Sequence, residues 1–131
     1  MIILNATTKS LEIVLGGSVS SSQLPFSASY VDMDDTTWAL TGMSESDGAS
    51  NGTTAVTIVA APAANSRRQV KAISIYNADN ANVTLTIRVN NNGTTRIIFK
   101  AVLATLEFLY FGDAGWQVFT ANGELKIANT V

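Results

Sequence analysis

The chain has 131 residues and a mass of 13.8 kDa, enough for one domain with a sizeable buried core. Apolar residues make up 47% and charged residues only 14%, against roughly 25% in typical soluble domains, so Thr, Asn, Ser and Gly must supply most of the surface. A net charge of −2 with scattered Lys and Arg offers no basic face to nucleic acid or an anionic membrane, and the absence of Cys and His excludes disulfides, thiol or imidazole nucleophiles, Ser-His-Asp triads and Cys/His zinc sites.

Met1 to Leu4 is apolar and is closed by Asn5. No basic segment precedes it, so it does not read as a signal peptide. No apolar run, Thr57 to Ala64 included, approaches the length of a bilayer span. The expectation is a protein made and kept in a cytosol. Residues 1–15 read as an N-terminal strand or assembly arm, and residues 16–131 as a single β-sandwich domain. Ile2, Ile3 and Leu4 are set apart from the first good strand by the polar stretch Asn5 to Ser10. They are therefore expected to pack on a neighbouring chain. The alternative is a first strand that closes the protomer's own sandwich.

Leu11 to Leu15 reads as a strand ended by Gly16-Gly17, with Ser18 to Ser22 a polar loop. Phe26 to Val31 alternates as a strand does, and Thr36 to Leu40 is a further candidate. Met43 to Gly52 is rich in Ser, Gly and Asp and predicts a long exposed loop. Thr53 to Ala60 predicts a strand stopped by Pro62. Val70 to Tyr76 is another, turned by Asn77 to Asn80. Val83, Leu85, Ile87 and Val89 alternate with Thr84, Thr86 and Arg88, the period of a strand with one dry face. Asn92-Gly93 accepts the positive φ angles of a tight hairpin leading into Thr94 to Phe99. In residues 99–111, Phe99, Val102, Leu103, Leu106, Leu109 and Tyr110 fit helical spacing, yet Leu106, Phe108 and Tyr110 also alternate. The strand reading is preferred: a strand to Leu103, a turn at Ala104-Thr105, and a strand from Leu106 to Phe111. Gly112 to Gly115 is a turn, Trp116 to Thr120 a strand, and Asn122-Gly123 a hairpin into Leu125 to Ile127. Short strands with turns every 8–12 residues or so predict an all-β chain, an antiparallel β-sandwich that is jelly-roll-like. Val83, Leu85, Ile87, Val89, Ile97, Phe99 and Trp116 should line one buried sheet face.

Asp32, Asp34 and Asp35, with Glu45 and Asp47 in the next segment, could supply oxygen ligands to Ca²⁺, but their spacing is not that of an EF-hand. Solvated loop acids are the plainer reading, and no metal or cofactor is expected. No convergent set of catalytic residues stands out, so the chain is not expected to be an enzyme. Arg67-Arg68 could pair with an acidic patch on a partner, since Arg binds carboxylates bidentately. Arg88, Arg96 and Lys100 are spaced to share one face of the central hairpin. Trp38 and Tyr30 are candidates for an exposed sugar platform. Of Phe99, Phe108, Tyr110, Phe111, Trp116 and Phe119, alternate members on strands read as core, with stacking on a sugar ring as the functional alternative. Four Asn-x-Thr sequons, at Asn5, Asn51, Asn82 and Asn92, carry little weight without a secretion signal.

Three stretches carry a resemblance: Val70-Lys71-Ala72-Ile73-Ser74-Ile75-Tyr76-Asn77, the Asn92-Gly93 hairpin, and Gly115-Trp116-Gln117-Val118 with Asn122-Gly123-Glu124-Leu125-Lys126. Across residues 50–128 the chain resembles small structural proteins of tailed-bacteriophage virions. It departs from them in having Ala104-Thr105 where they turn on Gly-Glu or Gly-Asp. The resemblance implies a virion component assembled in the host cytoplasm. It points first to a capsid decoration (cement) protein bound to the major capsid protein, often as a homotrimer, and otherwise to a tail, baseplate or fibre piece. It carries over no functional residues. A carbohydrate-binding β-sandwich module is the reading from another class. Ile2, Ile3, Leu4, Arg67 and Arg68 are the expected assembly contacts.

Overall fold

The structure is a computed structural model and describes residues 1–126. Among them are ten strands and no helix. These are β1 (Ile2–Leu4), β2 (Lys9–Leu15), β3 (Pro25–Asp34), β4 (Leu40–Ala49), β5 (Val56–Val59), β6 (Ser66–Tyr76), β7 (Val83–Asn91), β8 (Thr94–Leu103), β9 (Phe108–Gly112) and β10 (Gly115–Phe119). The strands pair antiparallel in two packed sheets. One has the order β10-β9-β6-β3-β4, with β1 also on β6; the other is β5-β2-β7-β8. The antiparallel sandwich is therefore as expected, and these strand orders go no further towards a jelly roll.

The core follows from period-two patterning on the facing sheets. β7 contributes Val83, Leu85 and Ile87, and its neighbour β2 contributes Leu11, Ile13 and Leu15. Opposite them lie Val70, Ile73 and Ile75 of β6, Phe26 and Ala28 of β3, and Leu109 and Phe111 of β9. Full burial of each large aliphatic side chain is worth about 1.5–3 kcal/mol. That gain holds the sheets together, because each has only one dry face. Turn chemistry aligns the strands. Asn92 and Gly93 both take positive φ, 51° and 90°, as the Asn-Gly pair predicts.

Residues 99–111 form strand, turn and strand, not a helix. Other expectations are corrected. Ile97 is 65% exposed instead of buried, while Val89, Phe99 and Trp116 sit half-buried at the rim of the core. The reason is a bulge in β8. Ile87 faces Phe99, but Arg88 faces Ile97, so Ile98 is an extra residue and the faces exchange beyond it. The same bulge sets Arg96 opposite Val89, whereas Lys100 lies opposite Thr86, so Arg88, Arg96 and Lys100 do not share a face.

The expected loop from Met43 to Gly52 is mostly strand β4, paired with β3 from Pro25↔Ala49 to Met33↔Leu40. It lies at a sheet edge with nearly every side chain exposed, so it needs no apolar alternation. Its Gly48 lies under the Phe26 ring, where an added Cβ would come within 2.8 Å of a ring atom. Thr36 to Leu40 is chiefly the turn that joins β3 to β4, and the strand expected over Thr53 to Ala60 contracts to β5. The last expected strand is reduced to a bridge between Phe119 and Leu125, with its end at Ile127 outside the described residues.

Candidate functional site

Where β3 and β6 run past the core, Asp32 and Arg68 stand directly opposite one another. The Arg68 fork donates from Nε to Asp32 Oδ1 at 2.7 Å and from Nη2 to Oδ2 at 2.9 Å. Its Nη1 reaches the Ala60 carbonyl at 2.9 Å, and its carbon lies 4.1 Å from the centre of the Tyr30 ring. The Arg68 side chain is only 12% exposed. Its hydrogen bonds to Asp32 hold its pKa above the ordinary arginine value, against the opposing effect of burial. The guanidinium is thus occupied within the chain, tying β3, β6 and the residues after β5 together. It is not free for an acidic partner, and Tyr30 is covered rather than offered to a sugar.

Arg67 lies next to it, 4.6 Å from the Trp38 ring centre. Trp38 is 54% exposed and has a φ of 61°, in the left-handed region that bulky residues avoid. Its loop is tied by Asp34, whose Oδ1 accepts from the amides of Thr36 (2.9 Å) and Thr37 (2.7 Å) and from the Thr37 hydroxyl (3.0 Å). The Thr37 amide, then that of Thr36, holds the Asp34 carboxyl below its ordinary pKa. Asp32 is therefore spent on Arg68 and Asp34 on its own turn. Among the described residues no three carboxylates gather as a metal site. Glu45 and Asp47 lie on β4, opposite Ser29 and Ser27.

The N-terminal candidates divide. β1 pairs with β6 of its own chain, Leu4 is fully buried, Ile2 is half-buried, and Ile3 is 48% exposed. Of residues 1–15, β2 lies inside the sandwich between β5 and β7. Ile3 lines a shallow groove of about 340 Å³ with Val89 and Ile98, beside the cations Lys9 and Arg96.

Sequence reasoning missed the buried polar groups. Asp79, read as a turn residue, is 1% exposed and accepts from the amides of Ser20, Ser21 and Ser22 at 2.9, 2.6 and 3.2 Å, and from the Ser21 hydroxyl. The Ser20 amide, followed by those of Ser21 and Ser22, holds its carboxyl far below the ordinary range although burial works the other way. Asn77 donates to the carbonyls of Ala81, Leu103 and Ala104 and accepts from the Asp79 amide. Burial raises the Glu107 pKa, but the Ala104 amide and Lys126 overcome it and the net shift is downward. Glu12 accepts from Arg88 and Asn90. These groups satisfy backbone and neighbouring charges, which is what buried polar groups must do. The only signal of them in the sequence is a run of Ser before a strand and an Asn-Ala-Asp turn far from it.

Two long edges of the fold also carry exposed apolar side chains. β4 and β8 are ten-residue edge strands. They carry Leu40, Met43, Ile97 and Val102 as exposed apolar side chains. Compared with known proteins, the chain matches no family model, no curated relative and no solved structure.

Proposed function

We propose that this chain is a non-enzymatic virion structural protein of a tailed phage, and first a capsid decoration protein. In this role it binds the capsid exterior, bridges neighbouring copies of the major capsid protein and stiffens the shell. The observation that carries the reading is the pair of long, exposed edge strands. Their apolar side chains and open backbone edges suit contact with protein, whereas the charged groups at the sandwich end are consumed in holding the loops. The resemblance over residues 50–128 gives the same direction. Its partners are the major capsid protein and other copies of itself, as a homotrimer. Of the expected contact residues, Ile3 is exposed and Ile2 and Arg67 are half-buried, whereas Leu4 is buried.

Gold-labelled antibody on particles of the encoding phage tests this in the electron microscope. Label spread over the head supports decoration. Label confined to the tail, baseplate or fibres supports the second virion reading. Unlabelled particles overturn both. A carbohydrate-binding role rests on the exposed Trp38. It predicts glycan binding that Trp38→Ala abolishes.

A further inference from the structure

We propose that copies of this chain join head to tail, the β4 edge of one pairing with the β8 edge of the next. Arg68, Arg88 and Lys126 are paired with Asp32, Glu12 and Glu107. Asp34 and Asp79 are held by amides. Of the charges left, Glu45 and Asp47 stand exposed on β4, which has no cation, and Arg96 and Lys100 stand exposed on β8, which has no anion. Each strand also carries large exposed apolar side chains, with Met43 76% and Ile97 65% accessible.

The two strands match in length as well. Ten residues give each an edge about 33 Å long. β4 bonds to β3 alone and β8 to β7 alone, so each has one free row of backbone donors and acceptors among the described residues. An open edge of this kind pairs with another strand unless something blocks it. Neither strand contains Pro, the residue that would remove a donor.

Charge decides which strand that is. A symmetric β4–β4 contact would bring two acidic edges together and a β8–β8 contact two basic ones, Lys100 and Arg96 lying on opposite faces of β8. Only β4 on β8 brings opposite signs together. The two edges lie on opposite flanks of the sandwich. β4 adjoins β5, where the Ser46 hydroxyl bonds the Ile58 carbonyl, and β8 adjoins β10, where Phe99 stacks on Trp116 at 4.6 Å. The contact therefore uses two different surfaces. It passes from copy to copy, and closes as a ring where the rotation permits. It commits the edges that the decoration reading offers to protein to a second copy, and its test needs only this chain.

The test is sedimentation of purified protein without capsids, in low and high salt. Native protein should associate, and more weakly as salt rises. The variants E45K/D47K and R96E/K100E should each weaken association at least tenfold while keeping the native β circular-dichroism spectrum. An equal mixture of the two should associate again, because each supplies the edge that complements the other. So should the chain carrying all four changes. Native protein that stays monomeric at every concentration overturns the proposal. So does either double variant that associates as the native chain does, or a mixture that stays apart. Failure here leaves the virion reading to the microscope, and unlabelled particles there leave this contact standing.

Discussion

Asp79 shows how much one carboxylate can organise. It gathers three successive amides of the Ser20–Ser22 segment and so ties that exposed loop to the turn after β6. Its folded pKa lies below its ordinary value of 3.8, so the stabilisation is complete above that value and is lost as pH falls towards the folded pKa. Asp79→Ala should lower Tm at pH 7, and the gap between variant and native protein should close as the solution is acidified below pH 3.8. Thermal melts across that range check this; a gap that stays constant with pH would assign the effect to packing instead. Ile87 and Ile97 make the second comparison. Ile87→Ala, at a fully buried position, should cost about 2–5 kcal/mol in urea denaturation. Ile97→Ala, at an exposed one, should fall within about 0.5 kcal/mol of the native chain. Alternation alone made the two residues equivalent. One extra residue in β8 separates them, and no spacing in Thr94 to Leu103 announces where a bulge will fall.

Among the strands, legibility tracks burial. β2, β6, β7 and β9 each place alternate apolar residues against the opposite sheet, so their sequences carry the pattern that their position demands. β4 owes its strand conformation to the ladder that β3 offers, and with almost nothing buried it reads as a loop. The candidate site was legible in its members rather than in its wiring. Asp32, Tyr30, Trp38, Arg67 and Arg68 do come together, but only the register of β3 on β6 shows that Asp32 occupies Arg68, and only the turn after β3 brings Trp38 to Arg67. Turns are the other legible class, because their demand is conformational. With φ at 90° and open space around it, Gly93 tolerates a Cβ sterically but not conformationally. Gly93→Ala should therefore cost about 1–2 kcal/mol in chemical denaturation without changing the fold.

At the scale of the whole molecule, the N-terminal segment has two parts with separate consequences. Leu4 belongs to the protomer's own core and Ile3 to its surface. Leu4→Ala should destabilise the isolated chain by about 2–5 kcal/mol. Ile3→Asp should leave stability within about 0.5 kcal/mol of native and, in the proposed decoration role, weaken attachment to capsids. Urea melts read the first pair of numbers and a capsid pull-down the second; an Ile3→Asp chain that attaches as tightly as native would remove this segment from the interface.

The wiring of β2 also sets a timetable. Its long partner is β7, and the bond between Glu12 and Asn90 spans 78 residues. β1 likewise waits for β6. On the ribosome the first strands emerge with Leu11, Ile13 and Leu15 bare, and they stay so until well over half of the chain has followed. Contacts that span so much sequence form slowly, and a partly made chain is at its stickiest just when polysomes crowd many copies together. A chain ended at residue 80 should consequently stay unfolded and aggregate. The strand order thus makes late segments the precondition of the core: Leu11, Ile13 and Leu15 are covered only once β6 and β7 are in place.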